Sequence, residues 1–159
     1  MRKFELTTDT KMIFGKKLFR IKALIDFGDV KAGEMGGYVE KEGNLSHCGN
    51  AWVYGDALVC GDALVYGNAL VYGDARVSGN AWVHGDADYA TAKGFGSEYR
   101  TTTFFKLKDS NEIGVRCGCF YGTLKEFRAK VKETHGESKK AKKYLMLADL
   151  MEYRFLEVK

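Results

Sequence analysis

Residues 49–85 read Gly49-Asn50-Ala51-Trp52-Val53-Tyr54, Gly55-Asp56-Ala57-Leu58-Val59-Cys60, Gly61-Asp62-Ala63-Leu64-Val65-Tyr66, Gly67-Asn68-Ala69-Leu70-Val71-Tyr72, Gly73-Asp74-Ala75-Arg76-Val77-Ser78, Gly79-Asn80-Ala81-Trp82-Val83-His84 and Gly85. The unit is Gly-(Asn/Asp)-Ala-x-Val-x. Glycine followed by Asn or Asp marks a corner, because both tolerate positive φ and the Asx side chain bonds nearby backbone. Ala-x-Val alternates with period two, so Ala and Val face one side of a short strand and the x residues face the other. A helix is excluded: six residues do not return to one face at about 3.6 per turn, and each interior glycine would cost about 1 kcal/mol relative to alanine. So short a strand cannot fold back on its neighbour six residues away. It can pair with its equivalent one coil later, which predicts a solenoid. Gly37 and Gly43 keep the same spacing upstream, which extends the register to nine units from Gly37 to Gly85.

These residues resemble the hexapeptide-repeat family. The resemblance implies a left-handed parallel β-helix with three six-residue sides per coil, hence about three coils over residues 37–90. The Val53-to-Ala57 spacing follows the family's rule of an aliphatic residue and a small one four later. Tyr, Cys, Ser or His after the aliphatic residue departs from the family's frequent Gly. On a triangular coil, 18-residue offsets stack Trp52 on Leu70 and Tyr54 on Tyr72, Leu58 on Arg76 and Cys60 on Ser78, and Leu64 on Trp82 and Tyr66 on His84. Contiguous apolar area of this kind is rarely left bare on a monomer. Self-association is therefore expected, with Trp52, Tyr54, Leu64, Leu70 and Tyr72 as interface residues. The family's habit favours a trimer.

The flanks read differently. Lys3–Thr7, Met12–Phe14 and Leu18–Leu24 are expected as strands, with a turn at Gly15-Lys16, and residues 1–36 form a β cap over the coil's open end. Asp26-Phe27-Gly28 reads as a turn. Thr91–Arg100 reads as a small-residue connector within a third module, residues 91–159. In it a hairpin joins Thr103–Lys108 to Ile113–Phe120 around Asp109-Ser110-Asn111. Thr123 with Glu126 is a capping box that opens a helix ending at Gly136. Ser138 caps a second helix with an apolar stripe of Ala141, Tyr144, Leu145, Ala148, Met151 and Phe155. The fold class is mainly β with α.

The chain has 159 residues, 45% of them hydrophobic and 13% aromatic, too many for a disordered chain. No apolar run is long enough to span a bilayer, so neither membrane nor targeting is expected, and the location is read as cytoplasmic. In that compartment Cys48, Cys60, Cys117 and Cys119 are expected as free thiols, and Cys117-Gly118-Cys119 is too tight for CxxC metal spacing. Neither metal nor cofactor is expected. Charge is divided: residues 49–88 hold Asp56, Asp62, Asp74, Asp86 and Asp88 against Arg76. Residues 123–143 hold Lys125, Arg128, Lys130, Lys132, Lys139, Lys140, Lys142 and Lys143 against Glu126, Glu133 and Glu137. The acidic coil disfavours extended nucleic acid. The basic helices suit an anionic small molecule or an acidic partner.

Many hexapeptide-repeat proteins are acyltransferases with a histidine as general base, so the resemblance makes acyl transfer at His84 the alternative function. His47 is read in a Val place. A general base needs an orienting neighbour, and none is visible in the sequence. The reading is therefore a non-catalytic binding protein rather than an enzyme. Tyr66, Arg76, Trp82, His84, Lys139 and Lys143 are expected to bind ligand or partner. The layout of cap, short coil and C-terminal module also resembles small phage-encoded repeat proteins. That resemblance implies counter-defence in a host cytoplasm, by sequestering a nucleotide-like signal or occluding a host defence protein.

Overall fold

The structure is a computed structural model that describes residues 2–85, 88–95, 100–108, 110–118 and 120–156. Asp86, Ala87, Asp109 and Cys119 lie outside the described residues. Three N-terminal strands, β1 (Phe4–Ile13), β2 (Lys16–Ala23) and β3 (Met35–Val39), precede a 3-10 turn at Glu42–Asn44. Six two-residue strands follow: β4 (Trp52–Val53), β5 (Leu58–Val59), β6 (Leu64–Val65), β7 (Leu70–Val71), β8 (Arg76–Val77) and β9 (Trp82–Val83).

These six pair in parallel, each with the strand eighteen residues on: Trp52 with Leu70, Leu58 with Arg76, and Leu64 with Trp82. The Ala and Val positions turn inward and are at most 1% exposed from Ala51 to Val83. Each Val so buried contributes roughly 1.5 kcal/mol of apolar transfer. The repeat's main prediction therefore holds: strands joined by corners pair one circuit later, giving a β-rich fold with two helices.

The register is shorter than the glycine spacing predicts. Positive φ occurs at Gly49, Gly55, Gly61, Gly67, Gly73 and Gly79, but not at Gly37, Gly43 or Gly85. Gly37 serves close approach instead, since a Cβ there would sit 2.6 Å from the Ala57 carbonyl. The first circuit is also two residues longer, pairing Tyr38 with Leu58, Val39 with Val59 and Leu45 with Val65. Leu45 rather than His47 therefore takes the Val place, and His47-Cys48 is the insertion. Gly37 and Gly43 thus keep the six-residue spacing at Ala places of the unit, opposite Ala57 and Ala63, and not at its glycine corners.

The N-terminal segment extends one wall of the column: the sheet order is β1-β2-β3-β5-β8. Instead of two separate strands, β1 is one ten-residue strand with a bulge between Leu6 and Thr10, and the hairpin turns at Phe14-Gly15, both with positive φ. Phe4, Ile21, Ala23 and Val30 join the column's Ala and Val side chains in one core.

Along the column, backbone N–H groups point to the next circuit, as from Trp52 N to Ala69 O and from Leu64 N to Ala81 O, so carbonyls face the chain's beginning. Those first-edge carbonyls need donors. Lys3 Nζ donates to Ala51 O at 2.6 Å and to Gly49 O at 3.3 Å. The fully buried Asn44 amide donates to Ala63 O at 2.8 Å and Gly61 O at 3.1 Å, while its oxygen accepts from Lys41 N and Glu40 N. At the far edge, Arg76 N donates to Thr103 Oγ1 at 2.9 Å, and Lys108 N to Asn80 O at 2.8 Å.

The C-terminal sheet has order β10-β11-β12-β13, from β10 (Tyr89–Phe95), β11 (Arg100–Lys106), β12 (Ile113–Cys117) and β13 (Phe120–Thr123). The expected connector is thus largely strand. Its small residues mislead because Ala90 and Ala92 leave room for the helices packed on that face. The helices are α1 (Leu124–His135) and α2 (Lys139–Leu156). The Thr123–Glu126 capping box forms reciprocally, Gly136 closes α1, and Ser138 Oγ accepts from Ala141 N. The anticipated α2 stripe is the packed face, with Leu147 added to it.

Candidate functional site

The x residues of the repeat form three walls, and the flanks cover much of each. On the first wall, Trp52 is fully buried, edge-on to Phe27 at 5.2 Å and to Phe4 at 6.4 Å. It is an internal residue, unavailable to a second copy. Phe27 comes from the Asp26-Phe27-Gly28 turn, which positive φ at Gly28 and a bond from Ala32 N to Asp26 Oδ1 define. Leu70 and Tyr54 are half-buried, Tyr89 Oη donates to Leu70 O at 2.6 Å, and Tyr72 stays 61% exposed. The bare apolar area here is smaller than the sequence implies, because the N-terminal strands lie on it.

The third wall holds a ring cluster. Tyr66 is edge-on to Trp82 at 5.9 Å and tilted on His84 at 4.9 Å, with Leu64 half-buried beside them and Lys108 Nζ 5.0 Å above Trp82. The structure therefore brings Tyr66, Trp82 and His84 together and adds Lys108, whose part was hidden because it sits in a distant loop. Among the described residues no carboxylate bonds the His84 ring. The carboxylate of Asp88 accepts instead from the His84 backbone N–H. His47 has structural work: its Nδ1 accepts from Lys3 N, its ring stacks on Phe4 at 4.3 Å, and Nε2 therefore carries the proton donated to Glu42 Oε1. Burial pulls the Glu42 carboxyl up, but hydrogen bonds from Arg2 and His47 outweigh it and leave its pKa below the ordinary carboxylate value.

Arg76 lies apart, on the second wall. There the Phe14 hairpin tip leans over the column and meets Arg116 of β12, whose guanidinium carbon is 4.8 Å from the ring centre. A cleft opens on each side. One, of about 700 Å³, is lined by Lys11, Asp56, Asp74, Arg76 and Lys93. Its charges are largely matched: Lys93 pairs with Asp74 at 3.0 Å and Lys11 with Asp56 at 3.9 Å. The other, of about 510 Å³, is lined by Phe14, Lys16, Cys60, Ser78, Arg116 and Tyr121 among others. Burial raises the pKa of the Cys60 thiol, which keeps it protonated and unreactive.

Lys139 and Lys143 sit exposed on the first turns of α2, and among the described residues no contact joins them to the ring cluster or to Arg76. The acids of the column's corners clamp the flanks: Asp62 pairs with Lys41 at 2.8 Å, and Asp88 with Lys106 at 3.8 Å. Among the described residues no group of His, Cys, Asp and Glu has the arrangement of a metal site, and no helix is long and apolar enough to cross a membrane.

No curated protein matches this chain. A family model described as the YdcK beta solenoid repeat matches residues 69–85, the stretch from β7 to the corner after β9, so this part of the column is similar to a β-solenoid repeat.

Proposed function

We propose that the protein is a non-catalytic β-solenoid binding protein. In this reading the column is a left-handed parallel β-helix of about three coils, supported by the eighteen-residue parallel pairing and the positive-φ glycine corners. The observation that carries the binding role is the ring cluster of Tyr66, Trp82 and His84 with Lys108 above it. Rings beside a cation suit a flat anionic molecule, and a nucleotide-like signal is the ligand class proposed. Self-association, with a trimer favoured, would place Tyr72, Leu70 and Tyr54 at a boundary between copies. Counter-defence in a host cytoplasm is the role this reading serves, with occlusion of a host defence protein as its other form.

The test is mass spectrometry of molecules that co-purify with the protein, followed by calorimetry with a nucleotide panel on wild type and Trp82→Ala, and sedimentation to count subunits. Nucleotide binding that weakens in Trp82→Ala supports sequestration. A stable complex with a host protein and no bound anion supports occlusion. A monomer that binds neither refutes both. Acyl transfer at His84 is the second reading, because the ring lies against Tyr66 and among the described residues no carboxylate orients it. It predicts stabilisation by coenzyme A, lost in His84→Ala.

A further inference from the structure

The cleft between the Phe14 hairpin tip and β13 combines features that its structural roles leave unused. Ser78 is 5% exposed and lines this cleft; its Oγ makes no hydrogen bond of ordinary geometry among the described residues, and its polar neighbour is the Cys60 thiol. A thiol is a weak acceptor, so this hydroxyl keeps the capacity to donate to a stronger one at the cavity wall. Arg116 is half-buried and stacks on Phe14, and among the described residues its guanidinium makes neither an ion pair nor a hydrogen bond. The acid nearest the opening, Asp62, is held by Lys41 at 2.8 Å, while Lys16 is only loosely engaged, 3.7 Å from Glu40. Glu40 in turn accepts from Gly61 N at 2.7 Å. Among the described residues the cleft thus keeps one unmatched guanidinium and one hydroxyl engaged only by a thiol. Phe14 and Tyr121, both partly exposed, provide aromatic walls.

We infer that this cleft is a binding site for a small organic oxyanion, a carboxylate or phosphate ester with a flat or apolar body. Arg116 takes the oxyanion through its paired N–H donors, a geometry suited to carboxylate and phosphate. Ser78 donates to the same group once rotation about its Cα–Cβ bond turns the hydroxyl from the Cys60 thiol into the cleft, and Lys16 adds charge at the rim. The ligand body lies between Phe14 and Tyr121. At about 510 Å³ the space falls within the usual range for small-molecule pockets. The site is on a different wall from the ring cluster of Tyr66 and Trp82, so it stands or falls independently of that proposal.

The probes are phenyl phosphate and benzoate, titrated into the full chain and followed by calorimetry and by amide NMR shifts at Gly61, Ser78 and Gly79. At least one probe is expected to bind and to move those amides, and a preference between them identifies the oxyanion. Arg116→Gln is expected to weaken binding at least about tenfold, the scale of losing a charge-assisted bidentate contact. Ser78→Ala weakens it several-fold, while Lys130→Gln, on the exposed face of α1, leaves it unchanged. Circular dichroism confirms that each variant is folded. No binding of either probe at about 10 mM, which corresponds to less than about 3 kcal/mol of affinity, overturns the inference. Equal binding by Arg116→Gln and Ser78→Ala also overturns it.

Discussion

Alanine placed at two glycine corners of the same conformation tests whether the corners stack. Gly49 and Gly73 have φ of +74° and +67°, so alanine suffers the same left-handed strain at either, roughly 1–2 kcal/mol. Their surroundings differ. At Gly73 a Cβ meets nothing within 4 Å, whereas at Gly49 it lies 2.6 Å from the carbonyl oxygen of Gly67, on the next circuit. That oxygen accepts from Asn50 N and Ala51 N, each at 3.0 Å. Making room means moving a backbone carbonyl by roughly half an ångström and stretching both bonds, a cost of about 1–3 kcal/mol typical of overpacking. Gly73→Ala is therefore expected to lose about 1–2 kcal/mol and Gly49→Ala about 2–5 kcal/mol. In a chain of this size each kcal/mol lowers Tm by roughly 2–4 °C. Urea denaturation followed by circular dichroism measures the difference. Equal losses, or a larger loss at Gly73, would refute the stacked corners, because an ordinary sheet does not bring Gly49 onto Gly67.

Three further outcomes follow from the plugs and the core. Lys3 is 1% exposed, and burial pushes its ammonium from the ordinary 10.5 down to about 8. Between these values the folded chain binds fewer protons than the unfolded one. Stability relative to Lys3→Met should thus rise as pH goes from about 8 to 10.5, by up to about 3 kcal/mol, and urea midpoints that differ by a constant across this window would contradict it. Asn44→Leu strips the donors from the Gly61 and Ala63 carbonyls and is expected to cost about 2–4 kcal/mol, read as a fall in the urea midpoint. Trp52 Nε1 is buried without a partner among the described residues, so Trp52→Phe discards an unsatisfied donor and should cost well under the about 3–5 kcal/mol of Trp52→Ala, a ranking that thermal melts decide.

What the sequence made legible was whatever rested on local alternation. The Ala and Val positions, their pairing eighteen residues on, the Thr123 capping box and the α2 stripe all follow from short-range periodicity, and the structure has them. The first circuit was not legible, because Ser46-His47-Cys48 interrupts the unit after Leu45, and Gly37 and Gly43 keep the six-residue spacing from Ala places, where they pass for corners. Nor was β10, whose Ala90, Thr91 and Ala92 carry no strong strand signal until helices cover them. The ring cluster of Tyr66, Trp82 and His84 could be foreseen from stacking. The Arg116 cleft could not, since Phe14, Ser78 and Arg116 belong to three separate segments that only tertiary packing brings together.

The Phe14 tip resting on Arg116 ties the first hairpin to the last sheet across the outside of the column, while Phe4, Tyr89 and Phe105 share one interior with the repeat. Linear repeat arrays melt piecemeal from their termini, because each unit touches only its neighbours. Here both termini are clasped, so circuits cannot peel away singly. The amide protons of Val53 through Val83 should exchange together, at the rate of global opening rather than in a gradient from either end.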